Sequence, residues 1–133
     1  MSSLPTEVVA LALQREQDQR YLIARRSPGS SGAGTWEFPG GKVENGESQI
    51  EALVREIKEE LSVEFDPHRL SYVTGHLFKY PSRMIHLHLW KLIIPKSPYF
   101  ILSEHDQVAW CTPTEMKVYN LSPADVYFID KLL

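Results

Sequence analysis

At 133 residues the chain suits one domain, with a core large enough to need no disulfide. Its 43% apolar and 23% charged residues exclude a disordered, collagen-like or coiled-coil chain. Fourteen basic against seventeen acidic residues leave a net charge of −3, which argues against non-specific grip on a nucleic-acid backbone and allows a small polyanion at a local site.

From the N-terminus, Met1 to Thr6 lacks the basic start and apolar stretch of a signal peptide, and no apolar run approaches the ~18 residues of a membrane span. Glu7 to Gln14 and Arg20 to Arg26 read as a strand pair joined by the polar loop Arg15 to Gln19. Pro28 to Gly34 is loop, and Thr35 to Phe38 is a short aromatic stretch broken at Pro39-Gly40-Gly41, where the glycines allow close backbone approach. From Ser48 to Leu61, Ile50, Leu53, Val54, Ile57 and Leu61 recur at intervals of three and four and predict an amphipathic helix. Leu70 to Tyr80 and Met84 to Ile94 read as strands around Pro81-Ser82-Arg83, and Gln107 to Cys111 as a shorter one. Ser122-Pro123 opens a last helix, with Ser122 as N-cap and Asp125 in the third position. The one cysteine, Cys111, excludes an internal disulfide, fits a reducing compartment and reads as a small buried hydrophobe.

Charge is concentrated in one place. Between Glu44 and Glu60 there are six acids against two bases, Arg55 and Lys58, a local balance of −4. On the helix, Glu56, Glu59 and Glu60 stand at i, i+3 and i+4, where like charges repel by a few tenths of a kcal/mol per pair. A divalent cation reverses that sign, and carboxylate oxygens suit Mg²⁺ or Mn²⁺ held together with substrate phosphates. The bland reading of such a face is solvated acid. Three neighbours count against it, namely the glycine turn, Lys42 after it and Glu47 before the helix, which together describe a phosphate-and-metal site.

Gly41, Glu47, Arg55, Glu56, Ile57, Glu59, Glu60 and Val63 reproduce the Nudix box, G-x5-E-x7-R-E-U-x-E-E-x-G-U, at its full spacing. Ser62 stands where the box has its last glycine, at the helix C-terminus, where a left-handed residue is often required. The chain therefore resembles the Nudix hydrolase superfamily. Trp36 to Lys42 is similar to the strand and loop before the box in MutT-like nucleoside triphosphate pyrophosphohydrolases. Ile85 to His88 with Trp90, Glu104-His105 with Trp110-Cys111, and Leu121 to Asp125 resemble the bacterial CTP pyrophosphohydrolase branch.

The resemblance implies an α/β (α+β) fold, an α/β/α sandwich around a mixed sheet, in a single domain over residues 1–133. It implies Mg²⁺- or Mn²⁺-dependent hydrolysis of a nucleoside triphosphate to the monophosphate and pyrophosphate, with CTP, dCTP or modified pyrimidine nucleotides as the expected substrates of a nucleotide-pool sanitising enzyme. An 8-oxo-dGTP diphosphatase is the alternative within the family, and a nucleotide-binding module without catalysis the alternative outside it. The expected partner is a small nucleotide, with no membrane, no stable nucleic-acid partner, a cytoplasmic setting and a monomeric or homodimeric state.

Carried over by position, Glu56, Glu59 and Glu60 with the Gly40 carbonyl would hold the metal, and Arg55 would pair with Glu47 to orient the carboxylates. Glu104 or Glu59 would be the general base. Arg26, Lys42 and Arg83 would meet phosphate, the first two equally readable as exposed strand-end charges. Glu37, Tyr80 and Asp125 would read the base. Asp125 is equally explained as a capping acid in the first turn of its helix. His86 and His88 share a strand face, and with no third ligand spaced to join them they read as half-buried sheet residues.

Overall fold

The computed structural model describes residues 4–133; Met1 to Ser3, part of the leaderless N-terminal reading, lie outside the described residues. Seven strands form one mixed sheet. They are β1 (Thr6–Arg15), β2 (Tyr21–Arg26), β3 (Trp36–Glu37), β4 (Gly40–Lys42), β5 (Ser71–Tyr80), β6 (Arg83–Ile94) and β7 (His105–Cys111). The helices are α1 (Gln49–Leu61), α2 (Pro113–Met116) and α3 (Pro123–Ile129), with a 3-10 turn at Pro67–Arg69. The main path runs β3-β2-β1-β6-β5, with β4 on β1 and β7 on β2.

Strand β1 lies at the centre and is buried on both faces, which explains its near-continuous apolar sequence. Val9, Leu11 and Leu13 pack with Leu53, Ile57 and Leu61 of α1. Ala10 and Ala12 face the other layer, with Met116 of α2 and Phe128 and Ile129 of α3. The expected α/β/α sandwich is thus formed. One edge of β1 runs parallel to β6 from Thr6↔Ile85 to Arg15↔Ile94. Its other edge is shared. The expected β1–β2 pair meets antiparallel near Gln14↔Tyr21, and β4 takes Val8 to Ala10.

That sharing bears out the close backbone approach expected at Pro39-Gly40-Gly41 and adds a strand to the expected turn. Gly40 and Gly41 are strand residues, and a Cβ at Gly40 would overlap the Val9 carbonyl, so the glycine permits the pairing. Helix α2 is an addition to the elements expected from the apolar pattern, although Thr112-Pro113 with Glu115 completes a capping box. At α3 the hydroxyl of Ser122, the expected cap, makes no capping bond; it donates to Asp125 Oδ2 at 2.8 Å instead.

Helix α1 starts at a complete capping box, Ser48 with Glu51. It ends at Ser62, whose φ of 58° is left-handed and whose amide donates to the Lys58 carbonyl. A non-glycine residue is disfavoured there by about 1 kcal/mol. Ser62→Gly is expected to raise the unfolding free energy by roughly that amount, measured by urea titration, with turnover unchanged.

Candidate active site

The second half of α1 lies over β4. A side chain at Gly41 would run into the Glu56 carboxylate, so the second glycine clears the space in which that carboxylate sits. Arg55 organises the approach to it. Its Nε and Nη2 donate to the two oxygens of Glu47 at 2.7 and 2.9 Å, Nη1 donates to Glu56 Oε1 at 2.7 Å, and Nη2 donates to the Lys42 carbonyl at 3.0 Å. Glu59 Oε2 stands 3.5 Å from the same guanidinium. The bond from Arg55, aided by the Glu44 amide, pulls the Glu47 carboxyl down to about 2. Arg55 in turn is held above the usual guanidinium range, chiefly by Glu47.

The three helix glutamates differ in setting. Glu59 is 60% exposed at its side chain and Glu56 15%, whereas Glu60 is 1% exposed, inside the apolar stripe rather than beside it. Both Glu60 oxygens are buried without a hydrogen-bond partner. Desolvation, then the neighbouring Glu56, Glu104 and Glu37 carboxylates, push its carboxyl up to about 10. Beside Glu56, Glu37 and the buried His105 also converge on Glu60, the ligand atoms of Glu37, Glu60 and His105 lying within 4.8 Å of one another.

His105 is the residue that sequence reasoning gave no role. Its Nε2 meets Glu37 Oε2 at 2.9 Å, and its Nδ1, also buried and without a bond, lies 3.7 Å from Glu60 Oε1. Its position beside Glu104 was the only local signal. An orphaned buried carboxylate surrounded by acids is a site short of positive charge, so the donor set fits a divalent cation.

Glu104 reaches the site through a stapled loop. The Ile101 and Ser103 amides donate to the Leu61 and Glu60 carbonyls at 3.0 and 3.3 Å, and Ser103 Oγ donates to the Glu59 carbonyl at 2.8 Å. These bonds satisfy the last carbonyls of α1 and set exposed Glu104 across from Glu60.

The expected cations and base readers separate into distinct groups. Arg26 donates through Nη1 to Glu37 Oε2 at 3.1 Å, so Arg26 and Glu37 are bound to each other beside His105. Lys42 is exposed on β4. Tyr80 and Arg83, at the β5–β6 turn, line a cavity of about 350 Å³ with Leu4, Thr6 and Met84. Asp125 is buried at the start of α3, and both its bonds fall on Oδ2, from the Phe38 amide at 3.1 Å and from Ser122. It bridges residues 87 apart, so capping alone does not account for it. Burial pushes its carboxyl up to about 7.

The NUDIX domain family matches residues 4–132. The chain is 41% identical over 128 residues to the CTP pyrophosphohydrolase of Escherichia coli (strain K12), covering 96% of this chain and 90% of that one. It is 34% identical over 82 residues to the 8-oxo-dGTP diphosphatase of the same strain, covering 62% of each. The solution structure of the E. coli ORF135 protein superposes with a TM-score of 0.80 at 40% identity, over 98% of this chain and 91% of that one. No helix among the described residues is long and apolar enough to cross a membrane.

Proposed function

The chain belongs to the NUDIX domain family and is a hydrolase of phosphoric anhydride bonds; from that premise we propose a Mg²⁺- or Mn²⁺-dependent MutT-like enzyme that splits CTP, dCTP or a modified pyrimidine nucleoside triphosphate into monophosphate and pyrophosphate. We read residues 1–133 as a single such domain, acting in the cytoplasm on a small nucleotide. The observation that carries the reading is Glu60, a buried carboxylate with no partner on either oxygen, set beside Glu56 and the Gly40-Gly41 strand.

A divalent cation held there by Glu56, Glu60 and the Gly40 carbonyl, with Glu59 at the open side, would neutralise phosphate charge and acidify the attacking water. The rest of the work falls to the chain itself. Arg55, anchored by Glu47, fixes the Glu56 oxygen at 2.7 Å and keeps the acids from splaying apart. Of the two exposed carboxylates, Glu59 is drawn to Arg55, while Glu104 has no cation on it among the described residues. Glu104 is therefore the residue we assign to take the proton of the attacking water. Lys42 and Arg83 are the cations left to meet the phosphates, since Arg26 is spent on Glu37.

We assign the base-reading role to Asp125, whose Oδ2 is committed to Phe38 and Ser122 and whose other oxygen remains to accept from an exocyclic amine such as that of cytosine. In Asp125→Asn the carbonyl oxygen keeps the two internal bonds and the NH₂ becomes the outward group, so an acceptor turns into a donor. We expect kcat/KM for CTP and dCTP to fall at least tenfold relative to UTP and dTTP, whose carbonyl accepts at that position. Pyrophosphate release with Mg²⁺ from CTP, dCTP, 5-methyl-dCTP, dGTP and 8-oxo-dGTP tests the assignment. A preference for 8-oxo-dGTP would favour the second reading, which the 34% identity to an 8-oxo-dGTP diphosphatase supports. Nucleotide binding without turnover on any of them would overturn the enzymatic one.

A further inference from the structure

Outside the candidate active site, the α1 face of the sheet carries a second set of convergent donors. The parallel register places Glu7 of β1 directly against His86 of β6, and His88 is two residues along the same strand face. The missing third ligand for this histidine pair, which local sequence did not reveal, is therefore Glu7. Its Oε2 lies 3.1 Å from His86 Nδ1 and its Oε1 3.0 Å from His88 Nε2, and the three ligand atoms fall within 4.8 Å of one another.

We propose that Glu7, His86 and His88 form a binding site for a borderline divalent transition cation of the Zn²⁺ class, separate from the oxygen-rich site on α1. A tetrahedral ion with bonds of about 2.0–2.1 Å sets its donor atoms roughly 3.3 Å apart. The carboxylate-to-imidazole spacings of 3.0 and 3.1 Å are close to that. Two imidazoles select Zn²⁺, Ni²⁺ or Cu²⁺ over Mg²⁺, and three protein ligands leave one position for water.

The surroundings are built as well. His88, 6% exposed, has its other nitrogen, Nδ1, 2.8 Å from the Tyr72 hydroxyl. Such an outer partner fixes the ring: with an ion in place of the proton that Nε2 shares with Glu7, Nδ1–H would donate to the Tyr72 oxygen. That pairing needs room on β5. Gly75 lies opposite His88 in the β5–β6 register, and a Cβ on it would crowd the Tyr72 hydroxyl and His88 Nδ1. The ligands sit on rigid strands, and the neighbouring Trp90 is tied to the first residue of α1 by its indole N–H, which donates to Gln49 Oε1 at 2.9 Å.

The test is equilibrium dialysis of the full chain against Zn²⁺ in millimolar Mg²⁺, with bound metal counted by mass spectrometry. One Zn²⁺ per chain is expected in the wild type and equally in Glu60→Gln, which disables the α1 site. Affinity is expected to fall at least tenfold in His86→Ala and His88→Ala, and about tenfold in Tyr72→Phe. Co²⁺ is expected to give intense visible bands of a four-coordinate site, lost in the same variants. Where His88→Ala fails to fold, the half-exposed His86→Ala carries the test. No Zn²⁺ retained against Mg²⁺, or undiminished binding in His86→Ala, overturns the proposal.

Discussion

Glu60→Gln is expected to cut turnover by about a thousandfold while making the metal-free protein more heat-stable. The loss follows from removing a negative ligand whose share of charge stabilisation is several kcal/mol, at 1.36 kcal/mol per tenfold in rate. The gain follows from burial. Glu60 is raised to about 10 in the folded chain from an ordinary value near 4.5. Between those values the folded state holds a proton that the unfolded state has released, so its contribution to stability is complete below about pH 4.5 and is lost progressively as pH rises toward 10. A neutral amide at this position removes that slope. Thermal melts in EDTA from pH 5 to 9 are expected to show the wild type falling with pH and Glu60→Gln flatter and several degrees higher at the alkaline end. A variant that melted lower than the wild type at pH 9 would show that Glu60 is not strained by its burial.

Arg55→Ala is expected to lose activity and stability together. One guanidinium faces Glu47, Glu56 and Glu59 and also holds the Lys42 carbonyl. Without it the acids repel with no fixed cation between them, and Glu56 loses its orientation. Loss of such an orienting partner is expected to slow turnover by roughly one to two orders of magnitude, read from pyrophosphate release at saturating substrate. Arg55→Lys should rescue little of it, because an ammonium cannot reproduce the forked pair to Glu47. The pH dependence is opposite in sign to that of Glu60. Glu47 is depressed to about 2, so its contribution is present above about pH 4.5 and is lost as pH falls toward 2. Acid titrations of Arg55→Ala should show that part of the acid-side slope missing, with a melting temperature lowered by several degrees at pH 7.

The parts legible in the sequence are those whose cause is local. Periodicity gave α1 to within a residue, because Leu53, Ile57 and Leu61 repeat its turn, and short β-rich apolar runs gave β1 and β2. The carboxylate cluster was legible because the helix sets Glu56, Glu59 and Glu60 three and four residues apart. The remainder depends on register between distant segments. That Glu60 would be sealed in, that His105 would lie between Glu37 and Glu60, and that Glu7 would meet two histidines are consequences of β1 pairing with β6, β7 pairing with β2 and α1 packing over the sheet. Strand β4 escaped because glycine signals a turn and a close approach equally, and here the second holds.

The long parallel ladder of β1 also sets the order in which this chain can assemble. Thr6 must find Ile85, and every pair to Arg15↔Ile94 spans the same 79-residue offset, so the central strand gains its main partner only after more than half the chain has been synthesised. Until then Val8 to Leu13, a run of six apolar residues without charge, proline or glycine, stands ready to stack with copies of itself. Long-range closure of this kind is slow. The competing fate of a nascent or thermally opened molecule is therefore self-association through β1, and refolding yield should fall as protein concentration rises, with charged substitutions in β6 that delay docking making the fall steeper.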